Sequence, residues 1–544
     1  MSDTVSELLR AGRRLEAEGR QDEAIQTYRQ AILAEPDDPA VYVHLGELLY
    51  AMGFVAQARG IYDIGLRRLP ASPILHWVRC MASLPIIPAN EAESAAARDD
   101  FVERLSGLRA ICFASPAATR EAARAVGLRS PVLLACLGDV DPAVMALHGR
   151  LAADVMAANE PARAVAQRVP WHPGQPIRVG VVCGLFRRHT AWAMPARGWI
   201  AHIDRSRFAL TGYHTRDERD DETAAASRMF DRFHAGWAPL SVWLDRIAAE
   251  APHVLIYPEL GADQTALQLA ALPLAPVQCT TWGQPVTSGL PTIGHFLSAA
   301  ALEPPDAAGG YQERLVRLPG QGTVLDEYAL SWGEPLPETD SWAPFDLPDT
   351  AVRVLCCQPM QRYQPDHDDV FPRIACAMPE VQFVFVMQDE RRRDLLWRRL
   401  YLAFRAHDLP AEQHCRFTPA PGPAALSALI RDSHVQFDTI GWSGAETALD
   451  AIRHGVPVVT LPARSLRSRH ASALLRGAGV ADTIVDSVPH LIAQMMRLGQ
   501  DQAYRRDVSI RLRAGAPRLF GDPAPVRALE AFLTTEVARR CADA

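Results

Sequence analysis

No run of apolar residues in this sequence reaches the roughly 18 that a membrane-spanning helix requires. The first twenty residues are polar and hold no signal-type apolar segment, which leads us to expect a cytoplasmic chain. The ten cysteines include no C-x-x-C pair, and only Cys356 and Cys357 adjoin, so reduced thiols are expected and neither a disulfide frame nor a zinc site. There is no basic excess either: a formal charge of -7 gives no electrostatic footprint for nucleic acid. No His/Asp cluster stands at an obvious metal-ligand spacing, and no metal is expected. What remains is ordinary globular material, 48% hydrophobic and 22% charged, in 544 residues, enough for two to four domains.

The N-terminal stretch repeats. Gly12, Leu15, Gly19, Ala24, Tyr28 and Pro36 return 34 positions later as Gly46, Leu49, Gly53, Ala58, Tyr62 and Pro70. This period and pattern resemble the tetratricopeptide repeat, whose small residues let paired helices approach while Tyr fills the gap between them. Two repeats and one further helix from Pro73 are expected in residues 1–82. Such an array docks a protein acceptor or, alternatively, serves as a packing or dimerisation module that makes the chain a homo-oligomer. Residues 83–170 show helical spacing without evident chemistry.

From about residue 171 the pattern changes to short β-branched runs alternating with helical segments, the signature of a doubly wound parallel sheet. Strands are expected at 177–182, 208–214 and 254–257, then at 352–357, 382–387, 435–437 and 456–461. In such sheets ligands bind at the carboxyl ends of the strands, and a helix N-terminus offers free N–H groups to an anion. Residues 438–462, DTIGWSGAETALDAIRHGVPVVTLP, have this form: a Gly-rich loop, a helix expected from 445 to 454, and Gly455 ending it. Ser443-Gly444-Ala445-Glu446 also has the S-x-x-E spacing of a capping box, so Glu446 is read either as a cap or as a ligand.

Several ordered motifs carry a wider resemblance. After the strand IRVGVV comes CGLFRRH with His189. Residues 274–322 follow with PVQ, Trp282-Gly283-Gln284-Pro285, Thr287-Ser288-Gly289 and a Y-x-E-x-L-x-x-L-P run, and then comes the 438–475 segment. Together they resemble the SPINDLY-type and O-linked N-acetylglucosamine transferases, in a bacterial branch. The resemblance implies an α plus α/β fold: tetratricopeptide-like repeats (1–82), a helical connector (83–170), and a two-lobed GT-B body. Its first lobe (171–340) would serve the acceptor, its second (341–515) the nucleotide sugar, and a C-terminal segment (516–544) would pack back on the lobes. It implies inverting, metal-independent transfer of a sugar, with UDP-N-acetylglucosamine or a related UDP-sugar as cosubstrate and no other cofactor, to a protein Ser or Thr.

The same resemblance places His189 in the active site. It puts Gln358, Arg362, Gly444, Glu446, Thr447, Asp450 and Arg469 at the donor, and Trp282, Gln284, Pro285, Thr287, Ser288 and Gly289 at the acceptor or in the cleft. There are departures. Arg362 stands nearest the family's phosphate-binding lysine, Ala445 where a His is expected, and Gln284 where relatives often carry His. Gly294-His295 stands where Asp-Tyr is common, which would alter the binding edge. Two alternatives remain open: transfer of a CMP-linked acidic sugar to flagellin-like acceptors, which Arg187 and Arg188 would suit, and a catalytically inactive scaffold with nucleotide-binding lobes.

Overall fold

The structure, a computed structural model, describes residues 3–332 and 334–541. It begins with the helices α1 (Asp3–Ala17), α2 (Gln21–Ala34), α3 (Pro39–Ala51), α4 (Val55–Arg68) and α5 (Pro73–Met81). The 34-residue pattern has a steric cause. A Cβ on Gly12 would lie 2.2 Å from the Tyr28 ring, and one on Gly46 would lie 2.1 Å from Tyr62. Each tyrosine thus fills the place of the side chain its glycine lacks, locking α1 on α2 and α3 on α4. Connector helices α6 (Glu91–Cys112), α7 (Pro116–Ala125) and α8 (Pro142–Asn159) follow, each started by a side-chain cap from Asn90, Ser115 or Asp141.

Two parallel sheets form the body. The first has the strands β1 (Ile177–Val182), β2 (Phe208–His214), β3 (Arg232–Ala235), β4 (Val254–Tyr257), β5 (Val277–Thr281), β6 (His295–Ala299) and β7 (Arg314–Leu318), in the order β3-β2-β1-β4-β5-β6-β7. The second has β8 (Val352–Cys356), β9 (Val381–Met387), β10 (Cys415–Pro419), β11 (Val435–Phe437) and β12 (Val458–Val459), in the order β10-β9-β8-β11-β12. In both, the order reverses beside the first strand, which opens a crevice at the carboxyl edge. The strand expected at 456–461 is shorter than its apolar run suggests, because beyond Val459 only Thr460 finds a partner, Ile484.

The two lobes are tied at several points. Trp282 of the first packs 5.3 Å from His470 of the second, and Gln321 donates to the Ala473 carbonyl at 3.1 Å. The last helix, Ala524–Cys541, returns to the first lobe, where Glu530 accepts from the Asp204 N–H at 2.8 Å and Glu536 pairs with Arg314 at 3.1 Å. This helix corrects one expectation. His295 opens β6 at its amino end, buried against Phe532 and 3.6 Å from Glu536. The Gly294-His295 change therefore lies at the far edge of the sheet from the crevice and removes nothing from it. Among the described residues no helix is long and apolar enough to cross a membrane.

Candidate functional site

The loop leaving β1 delivers His189 to the crevice as the N-cap of a single helical turn, Thr190–Ala193. The Ala191 N–H donates to His189 Nδ1 at 3.1 Å. The ring's edge is open to the crevice, while protein packed on its other sides, followed by the Arg187 and Arg216 guanidiniums, pushes its pKa down to about 4. The ring is therefore neutral near pH 7, with Nδ1 occupied as an acceptor. The neighbouring Arg188 is held by Asp221 at 2.6 Å and by Glu334, so its charge is already compensated.

Opposite, the loop after β11 is organised by Asp438, which the sequence reading did not single out. Its buried carboxylate accepts from the Gly444 N–H at 3.0 Å and from Thr460 Oγ1 at 2.7 Å, and burial pushes its pKa up to about 6. The helix Ala445–His454 then starts at Gly444 without any side-chain cap, which leaves its first-turn N–H groups unclaimed by side chains. Glycine is required there for space: a Cβ would lie 2.0 Å from Gln358 Nε2 and 2.4 Å from Thr447 Oγ1. Gln358 donates to Thr447 Oγ1 at 2.6 Å and accepts from Arg362 Nη1 at 2.8 Å. Arg362 lies over Trp442, 4.6 Å from the ring centroid, and burial lowers its pKa to about 10. Among the described residues no carboxylate pairs with it. Asp450, one turn along the helix, is met by Arg453 at 2.8 Å and His454 at 3.4 Å.

The capping-box reading of Glu446 fails. Ser443 precedes the actual N-cap; its N–H donates to the Arg467 carbonyl at 2.7 Å and its hydroxyl accepts from the Ala471 N–H at 2.8 Å. Glu446 instead turns across the crevice, where its carboxylate accepts from the Thr190 hydroxyl of the other lobe. That contact divides the crevice into two chambers sharing His189 and Thr190. One, of about 210 Å³, is walled by Pro421, Pro423, Leu426, Glu446, Thr447 and Asp450. The other, of about 140 Å³, holds Trp282, Pro285, Arg362, Trp442, Arg467 and His470, and no carboxylate lines it. His470 is pushed down to about 3, first by burial and then by Arg362.

Other expected site residues lie elsewhere. Arg469 is absent from both chambers and donates to the Ala463 carbonyl at 3.1 Å; its neighbours Arg467 and His470 face the second chamber instead. Ser288 is turned to Glu313, which accepts its N–H at 2.8 Å. Gly289 packs on α8, where a Cβ would meet the Met145 carbonyl at 2.0 Å. Both are scaffold. Thr287 also donates to Glu313, at 2.5 Å, and lines a separate cavity of about 440 Å³ that reaches Arg467 from the outside. Gln284 is buried and lines neither chamber, and among the described residues its Oε1 has no hydrogen-bond partner. Trp282 and Pro285 do line the second chamber. One signal for Arg362 was present in the sequence: all 56 residues in the Lys+Arg count are arginine, so any permanently charged side chain facing a phosphate has to be a guanidinium.

Helical repeats joined to two facing Rossmann-like lobes define the class: a tetratricopeptide-repeat protein with a GT-B body. Comparison with known proteins narrows it. Residues 12–53 match the TPR repeat family and residues 431–518 match glycosyl transferase family 41. The SPINDLY protein of Solanum lycopersicum, named as a UDP-N-acetylglucosamine–peptide N-acetylglucosaminyltransferase, is 25% identical over 254 residues, 44% of this chain and 25% of that protein. Its Arabidopsis thaliana counterpart is 26% identical over 261 residues, 45% of this chain and 26% of that protein. The matched region thus spans about a quarter of these relatives' length. A mutant O-GlcNAc transferase of Thermobaculum terrenum shares the fold at a TM-score of 0.70 and 22% identity, covering 99% of this chain and 98% of that one. Residues 431–518 thus resemble glycosyl transferase family 41, and the chain as a whole shares the fold of that bacterial transferase.

Proposed function

We propose that this chain is an inverting, metal-independent glycosyltransferase that moves a sugar from a UDP donor to a protein Ser or Thr. UDP-N-acetylglucosamine, the donor in its relatives' names, is the first candidate. The observation that carries this reading is the uncapped helix start at Gly444 with the unpaired Arg362 beside it. Free N–H groups, a helix dipole and a guanidinium without a carboxylate together suit a diphosphate, and they stabilise it as it departs with the bonding electrons. The nucleoside then lies in the chamber of Pro421, Leu426 and Asp450, with Asp450 toward the ribose hydroxyls, and the sugar lies toward Trp282 and Trp442. Gln358 and Thr447 hold Arg362 and the helix start in register.

The first lobe and the repeats (1–82) would present the acceptor and the second lobe (341–515) the donor, with the work done in the cytoplasm. An acidic-sugar donor recognised through Arg187 and Arg188 has less support, since Arg188 is neutralised by Asp221 and Glu334. Calorimetric titration with UDP, GDP and CMP tests the donor: saturable binding of UDP is expected, and no binding of any of the three sinks the reading. Intact-mass analysis of proteins co-expressed with the chain should show one added sugar, absent with His189→Ala. Unmodified proteins in the presence of bound UDP would favour the scaffold alternative.

A further inference from the structure

A glycosyl transfer that inverts at the anomeric carbon needs a group to take the acceptor hydroxyl's proton, and His189 is ill suited to that task. Its Nδ1 lone pair is engaged by the Ala191 N–H, so the neutral ring carries its own hydrogen on Nε2. Toward the crevice it can donate a hydrogen bond but offers no lone pair. Thr447 and Gln358 are not bases, and Arg362, Arg467 and His470 make the second chamber cationic or neutral. Two carboxylates line the first chamber. Asp450 is already engaged by Arg453 and His454. Glu446 has no cationic partner among the described residues, stands at the junction of the chambers, and accepts the hydroxyl of Thr190.

We propose that Glu446 is the general base of the transfer, and that the Thr190 hydroxyl marks the direction from which an acceptor hydroxyl donates to it. This rests on the glycosyltransferase reading above. As the acceptor oxygen bonds to the anomeric carbon, the bond from that carbon to the diphosphate oxygen breaks and its electron pair leaves with the nucleotide. The acceptor's proton passes to the Glu446 carboxylate and from there to water.

The surroundings tune the group for that task. Burial raises Glu446 to about 7, the Thr190 hydrogen bond works against that rise, and the charge of Asp450 adds to it. From the other lobe Arg188 and His189 face the same chamber, with Arg188 neutralised by its own acids and His189 neutral. A base whose pKa lies near the working pH is the most effective one. The carboxylate carries a cost as well, because its charge at a helix N-terminus repels the phosphates that bind there.

Two readouts on the purified full chain separate this role from a structural one. The first is UDP release from UDP-N-acetylglucosamine, with water as acceptor, between pH 5.5 and 8.5. The wild type should speed up as pH rises through about 7. Glu446→Gln should be slower by about 100-fold or more, with the pH rise gone, and Glu446→Asp should recover part of the rate. The second is UDP affinity by calorimetry, which needs no turnover. Wild-type affinity should weaken above about pH 7 relative to Glu446→Gln, which should bind UDP more tightly at pH 8. A Glu446→Gln protein that keeps the wild-type rate or its pH rise overturns the proposal. So does one whose UDP affinity follows the same pH course as the wild type, or one that loses UDP binding together with rate. Absence of UDP binding by the wild type instead removes the donor reading, and this inference with it.

Discussion

Two helices of the second lobe leave the same sheet at the same edge and begin in opposite ways. After β9, the helix Glu390–Arg405 starts at Asp389, whose carboxylate accepts the Arg392 N–H at 2.7 Å and also binds the Arg392 guanidinium. That start is sealed. After β11, the helix Ala445–His454 starts at Gly444, which has no side chain to seal it, and Arg362 beside it pairs with no acid among the described residues. One start stabilises the fold; the other is kept open at some cost to stability, and the crevice lies in front of it. A topology alone offers several anion sites, and capping chemistry decides which of them is left free.

Making the open start resemble the sealed one should have the largest effect. Gly444→Asp puts a carboxylate where a Cβ already meets Gln358 Nε2 at 2.0 Å, and UDP binding should become undetectable by calorimetry. Gln358→Ala removes the link between Arg362 and Thr447 without adding bulk; UDP affinity should fall by about tenfold, the scale of a hydrogen bond to a charged group. The converse change at the sealed start, Asp389→Ala, should cost about 1 kcal/mol in denaturant unfolding and leave UDP affinity unchanged. A change in UDP affinity there would break the contrast between the two helices.

The smallest effect is on pH dependence. Asp438 and Glu446 are raised in the fold to about 6 and about 7, above their ordinary values, so their protonated forms favour the folded state. Their contribution is full at low pH and is lost as pH rises through those values. Thermal stability should therefore decline between pH 5.5 and 8, and Glu446→Gln should flatten part of that decline. An unchanged slope in the variant would place the raised group elsewhere.

Much of this was legible in the sequence, for physical reasons that can be named. The Gly12/Tyr28 and Gly46/Tyr62 pairs are local steric partners, so a repeat in the sequence reports a repeat in space. Strands β1 and β4 are largely apolar and rich in Val and Ile. Three of the five residues of β5 are threonine or glutamine, yet the strand is fully buried, because Thr280 and Thr281 donate to the carbonyls of Tyr257 and Leu297 on neighbouring strands. Such satisfaction depends on tertiary structure and leaves no periodicity to read. The cap reading of Glu446 failed for the same reason: the S-x-x-E spacing is a local rule, and Ser443 is claimed by Arg467 and Ala471 from a distant segment. At Arg469, the motif gave the right turn but the wrong side chain, since one residue along a helical turn changes the direction by about 100°. Asp438 was passed over because its partners, Gly444 and Thr460, are brought together only by the loop it organises.

The central claim is that the open helix start and Arg362 together bind a nucleoside diphosphate, and UDP titration into the wild type and Arg362→Gln tests it most directly. One saturable site is predicted in the wild type, with affinity at least about tenfold weaker in the variant and an unchanged melting temperature. Equal UDP affinity in the two proteins, or no binding by the wild type, would contradict it.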